Sequence, residues 1–216
     1  MDGAPPLPQR EHVERKFKAA WTVFSKTCGS YLAPEASYQA WFAHYLISQF
    51  GIDRVAREPT IHIKNFSLSD IRPLFAGQEV KLDAVVTRDP GIFMPHYANR
   101  LAKAVDGSGL GLLNQLAVIS ELKVAATQTN GLDYPEVKRD IDKLRLLLHE
   151  HRHEYDGIAR PKAYLCVLDN HPRRKKFDAA RLHDHARHED PLLDIEVLYE
   201  ASEEVPEIPL SGKLYR

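Results

Sequence analysis

Three charged residues in two apolar stretches carry the chemistry that this chain could perform. In Val118-Ile119-Ser120-Glu121-Leu122-Lys123-Val124-Ala125-Ala126, the apolar and β-branched residues predict a buried central strand, yet Glu121 and Lys123 interrupt it. Residues i and i+2 of a strand point to one face, so these two emerge side by side while Leu122 faces the other way. A second run, Val80-Lys81-Leu82-Asp83-Ala84-Val85-Val86, places Asp83 in the middle of another expected strand. Burying charges is costly unless they pair or bind something. Two resolutions are open. One is a structural ion pair between Lys123 and a carboxylate. The other is capture of a divalent ion, because carboxylates on neighbouring strands can share a Mg²⁺, which prefers oxygen ligands.

The elements around these runs must position them. The chain has 216 residues, enough for one compact domain with a sizeable core. A net charge of −1 supplies no global basic field for nucleic acid, so any such contact would need a local patch. Cys28 and Cys166 belong to no CxxC pair, which suits reduced thiols and a cytoplasmic location. No apolar run has the length of a membrane span, and the first residues lack a secretory apolar segment. The expected organisation is a lead-in and helix over residues 1–32, a main domain over 33–200 and a tail over 201–216.

Val13, Phe17, Ala20, Trp21 and Phe24 fall on one helical stripe, predicting an amphipathic helix over 9–27. Tyr38, Trp41, Phe42, Tyr45 and Leu46 predict a second helix over 33–50, with Pro34 in its first turn and Gly51 ending it. Glu35 and Gln39, four apart, share a face of that helix. Glu35 reads either as a partner of the helix dipole or as a carboxylate reaching a site. Strands are expected over 54–63, 79–87, 115–127, 162–168 and 191–199. Helices are expected over 134–151 and 176–188. Residues 88–113 form a long insertion with a turn at Asp89-Pro90-Gly91, a short helix over 98–105 and a flexible loop at Asp106–Gly111. That glycine-rich loop lacks the Gly-Lys-Ser/Thr ending of a phosphate loop.

Without its first helix the chain reads α-β-β-β-α-β plus a helix and a strand. Asp83, then Glu121-x-Lys123 on a later strand, in that order of elements, resembles the PD-(D/E)xK (restriction endonuclease-like) nuclease superfamily over most of the chain, residues 35–168. Leu82 stands where the motif has Pro, and the insertion after Asp83 is longer than in compact relatives. The resemblance implies an α/β fold with an αβββαβ core, a central mixed sheet flanked by helices, an N-terminal helix and a C-terminal helix-strand addition. It implies a Mg²⁺- or Mn²⁺-dependent phosphodiesterase acting on DNA, with RNA open and a homodimer allowed. Asp83, Glu121 and the backbone carbonyl of Leu122 would hold the metal. Lys123 would orient or help deprotonate water, and Glu35 would join the catalytic group. Gln39, Lys143 and Arg100 are candidate substrate contacts, and His96, Tyr97 and Lys103 lie in the insertion beside Arg100. A non-catalytic nucleic-acid-binding or assembly protein of the same fold is the alternative.

Two clusters point elsewhere. His149, His151 and His153 sit at a helix end, and His183, His185 and His188 on a polar helix. His149 and His153 have the i, i+4 spacing of a transition-metal chelate, but cationic His is also favourable at a helix C-terminus without metal. Arg173-Arg174-Lys175-Lys176 is the densest basic run and reads either as a phosphate contact or as a solvated segment.

Overall fold

The computed structural model describes residues 7–62, 79–91, 109–155, 158–172 and 177–202. These form α1 (Leu7–Cys28), α2 (Glu35–Phe50), β1 (Val55–Arg57), β2 (Thr60–His62), β3 (Glu79–Lys81), β4 (Ala84–Thr87), α3 (Gly109–Asn114), β5 (Leu116–Val124), α4 (Tyr134–Glu154), β6 (Lys162–Asp169), α5 (Ala179–Ala186) and β7 (Glu196–Ala201). The fold is mixed α/β. A five-stranded mixed sheet runs β1-β4-β5-β6-β7, and β2 pairs with β3 in a separate ribbon. Among the described residues no helix is long and apolar enough to cross a membrane.

Strand alternation divides the core into two layers. On one face, Val118, Leu122 and Val124 of β5 and Tyr164, Cys166 and Leu168 of β6 pack against Phe17, Phe24, Phe42 and Leu46 of α1 and α2. On the other, Ile119, Leu165 and Val167 meet Val137, Ile141, Leu144 and Leu148 of α4. β6 is buried on both faces, which is why its sequence is a continuous apolar run without alternation. Phe17 stacks on Tyr164, with centroids 4.3 Å apart and planes 13° apart, so α1 lies directly on the sheet.

The two strands expected over 54–63 and 79–87 pair with each other, but each is broken. β1 pairs antiparallel with β4, and β2 with β3. The break falls at Glu58-Pro59 on one side and Leu82-Asp83 on the other. Pro59 has no N–H to donate, and Glu58 has φ +48°, which a β-ladder does not tolerate. Glu58 N–H reaches the carbonyl of Asp83, and Leu82 N–H that of Pro59, across the bend. Asp83 is therefore at a hinge between two half-strands, not in the middle of one.

Other boundaries differ for local reasons. Pro34 is the N-cap of α2 rather than its first helical residue. β5 stops at Val124, and Ala125–Thr127 is a 3-10 turn. Gly109–Asn114 is helical where a loop was expected, because Leu112 and Leu113 bury themselves in the α4 layer. The last helix is shorter than expected, opening at Ala179, where the Asp178 side chain accepts from the Ala180 and Arg181 N–H groups. Leu193 ends a 3-10 turn, so the last strand begins only at Glu196. The helix expected over 98–105, Arg100 with its neighbours His96, Tyr97 and Lys103, the basic run 173–176 and residues 203–216 lie outside the described residues.

Candidate functional site

Where β4 bends, it also leaves β5. The β4–β5 ladder pairs Ala84 with Ser120 as its last step at this end, whereas β5 continues alongside β6 to Val124 opposite Leu168. Glu121, Leu122 and Lys123 thus lie in a notch between diverging strands. Asp83 closes the gap: its Oδ2 accepts the Leu122 N–H at 2.7 Å, standing in for the missing strand carbonyl. Its Oδ1 accepts from Gln39 Nε2 at 3.1 Å, and Gln39 Oε1 accepts from Arg57 at 3.2 Å. Gln39 is therefore a positioning residue for Asp83. Leu122 meets Asp83 through its N–H.

Glu121 and Lys123 have the same parity as Ile119, so they face α4. That decides their partners. Lys123 Nζ lies 2.9 Å from Glu136 Oε1 and 3.0 Å from Asp140 Oδ2. Glu121 Oε2 is met not by Lys123 but by Lys143 Nζ, at 2.8 Å, and Lys143 also lies 3.3 Å from Asp140 Oδ1. Glu136, Asp140 and Lys143 are spaced four and three apart, so one face of α4 delivers all three. Neither Glu136 nor Asp140 is among the candidate residues singled out from the sequence. Asp140 is buried because the strand beneath it is charged. The periodic signal was present, but only the parity of Glu121 and Lys123 could have picked it out.

The electrostatics are those of a site with too much negative charge. Glu121 is only 3 % exposed, and its Oε1 has no hydrogen-bond partner. Burial, and then the Asp83 charge, push its carboxyl well above the usual carboxylate range. Burial also raises Asp83, against the Leu122 N–H and the Lys143 charge, which lower it. Glu35, at the first turn of α2, is raised by burial and by Asp83, Glu136 and Asp140, with Lys123 opposing. Glu35 thus stands within electrostatic reach of the cluster. For the two lysines burial alone would favour the neutral amine. The facing carboxylates override it, Asp140 and Glu136 for Lys123, Glu121 and Asp140 for Lys143, and both ammoniums are held above their ordinary value.

Among the described residues no three His, Cys, Asp or Glu side chains converge as a metal's ligands would. At the notch Lys143 pairs with Glu121 and Asp140, and Lys123 with Glu136 and Asp140. The histidines are dispersed. His153 pairs with Glu154, His185 lies 3.7 Å from Asp142, and His188 Nδ1 accepts from the Asp190 N–H.

His151 is the exception among them. It is 0 % exposed, packs against Tyr155, and neither ring nitrogen has a hydrogen-bond partner. Burial, with Arg88 and Arg160 nearby, pushes its pKa down to about 4 from 6.5. Between those values the unfolded chain binds the proton and the folded chain does not, so stability falls as the pH drops through this window. The loss expected is about 3 kcal/mol between pH 6.5 and pH 4. Urea unfolding of wild type and His151→Leu across that window measures it. The variant should show a shallower pH slope, and an identical slope would assign the effect to other groups.

No family model matches the chain, and no curated protein or solved structure shows significant similarity to it.

Proposed function

We propose that this chain is a metal-dependent nuclease with a restriction endonuclease-like core, hydrolysing phosphodiester bonds in DNA. One observation carries the reading: Asp83, Glu121 and Asp140 lie within the break in the sheet, with the more exposed Glu35 and Glu136 at its edge, against two ammoniums, Lys123 and Lys143. A buried excess of carboxylate is stable when it is protonated or when it holds a cation. The order of elements supports the same conclusion. β1, β4 and β5 pair antiparallel and β6 joins parallel after α4, a mixed sheet of the kind the resemblance implies.

The residues present fit Mg²⁺ or Mn²⁺. Asp83 and Glu121 offer hard oxygen donors, and Glu121 keeps one oxygen unpartnered inside the notch. When bound, the ion supplies Lewis acidity and neutralises charge on the scissile phosphate. The chain's own residues supply the rest. Glu35, whose pKa is raised by burial and by the facing carboxylates, would accept a proton from an attacking water. Lys123 keeps an ammonium fixed beside the carboxylates, where it would offset negative charge gathering on the phosphate oxygens. Gln39 and Arg57 fix the orientation of Asp83 from the α2 side.

The pairing of both lysines inside the cluster favours a second reading, a non-catalytic nucleic-acid-binding or assembly protein of this fold. Incubating the purified protein with plasmid, linear duplex and single-stranded DNA, and with RNA, in Mg²⁺, Mn²⁺ or EDTA separates the two. Cleavage that needs the metal supports the nuclease. Duplex binding without cleavage in any metal would move the assignment to the second reading.

A further inference from the structure

The Lys143 ammonium is surrounded by oxygens of the kind that bind a divalent ion. Glu121 Oε2 lies at 2.8 Å, Asp140 Oδ1 at 3.3 Å and the carbonyl oxygen of Lys81 at 3.2 Å. The three come from three elements, β5, α4 and the end of β3, and they converge on one point. The Lys143 side chain is only 15 % exposed, so its charge is held in the interior of the notch rather than in solvent. Glu121, buried and with its second oxygen unpartnered, borders the same point. An ammonium in such a shell marks a position where the protein stabilises a positive charge.

We infer that Glu121, Asp140 and the Lys81 carbonyl form a cation position in which the Lys143 ammonium and a divalent metal ion exchange. The inference rests on the metal-dependent reading above and extends it by assigning Asp140 and Lys81 as ligands and Lys143 as the resident competitor. Lys143 flanks the apolar stripe of α4 on its sheet-facing side, and its long stem lets the ammonium swing outward while the helix stays in place. A metal can then take the vacated oxygens. The metal-free protein keeps its carboxylates compensated, and the apparent metal affinity is reduced by the fraction of molecules in which Lys143 occupies the position.

The probe is Mn²⁺, followed by the loss of its free-ion electron paramagnetic resonance signal. Wild type, Lys143→Met, Asp140→Asn and Asp83→Asn are titrated, each after its thermal transition has been recorded. Lys143→Met should bind Mn²⁺ about tenfold more tightly or better, as removal of an internal competitor predicts. Asp140→Asn should bind more weakly than wild type. A second measurement needs no variant. Acylation of Lys143 in the wild type, read by mass spectrometry and normalised to the exposed Lys26, should rise several-fold when Mn²⁺ is added.

Unchanged or weaker Mn²⁺ binding by a folded Lys143→Met, or Lys143 acylation that does not respond to Mn²⁺, overturns the exchange. If the wild type then still binds Mn²⁺ in a way that Asp83→Asn abolishes, the metal-dependent reading stands without it. If no protein in the set takes up Mn²⁺, both the reading and the exchange fall. Should Lys143→Met fail to fold, the acylation measurement alone decides.

Discussion

Asp83→Asn is expected to lower DNA cleavage by at least about 10²–10³-fold while leaving the fold intact, an effect of the size that follows removal of one preorganised charge from a hydrolytic site. The substitution keeps an oxygen that can accept the Leu122 N–H, so the strut across the notch survives. It removes the charge that, after burial, does most to raise Glu121. Glu121 should then ionise at lower pH. The Mn²⁺ affinity should nevertheless fall, because one of the two central carboxylates has gone. Cleavage, Mn²⁺ binding and the urea midpoint measured on the same preparation test this. Full activity in Asp83→Asn would remove Asp83 from the site and leave it a structural cap for β5.

Phe17→Ala should cost about 3–5 kcal/mol of stability, the range for truncating a fully buried aromatic ring. Phe17 has no exposed surface, stacks on Tyr164 and meets the edge of Phe42 at 5.8 Å. A cavity between helix and sheet could not collapse easily, since Trp21, Phe24 and Phe42 are locked against one another around it. Val23→Ala on the same helix is the control. Val23 is 47 % exposed, and its loss should stay within about 0.5 kcal/mol. Urea unfolding of both variants distinguishes a helix that belongs to the core from one that merely rests on it. A loss below about 1 kcal/mol for Phe17→Ala would indicate the second.

The layers around the sheet were legible because they rest on periodicity. The α1, α2 and α4 stripes and the apolar β6 run each state their own burial. The notch was legible only in part. Alternation placed Glu121 and Lys123 on one face, but it carries no information about which helix covers that face. Lys123 was therefore read as the neighbour of Asp83 and Glu121, when its partners are Glu136 and Asp140 on α4. Lys143, a candidate substrate contact in the sequence, holds Glu121. This changes the use of one variant. Lys123→Ala would leave two facing carboxylates uncompensated, so it perturbs stability as well as chemistry and is a poor probe of turnover. The bend at Asp83 had a visible cause in Pro59, but the effect appears on the other strand. Cross-strand consequences of a proline cannot be read from either strand alone. Glu35 and Gln39 shared a face in the sequence, and the structure separates their tasks: Gln39 bonds Asp83, while Glu35 acts on the cluster through charge.

The stacking of Phe17 on Tyr164 also has a bearing on how the chain matures during synthesis. The helical hairpin of α1 and α2 can form as soon as both helices have left the ribosome, with Phe42 between Trp21 and Phe24. Its second surface, which carries Phe17 and Phe24, matches residues of β5 and β6 that appear roughly 100–150 residues later, on the order of 10 s at ordinary elongation rates. Lys18 finds Glu196 later still, on β7. Throughout that interval an aromatic face has no sheet to cover it. The nascent chain thus carries an aromatic surface that the finished protein covers.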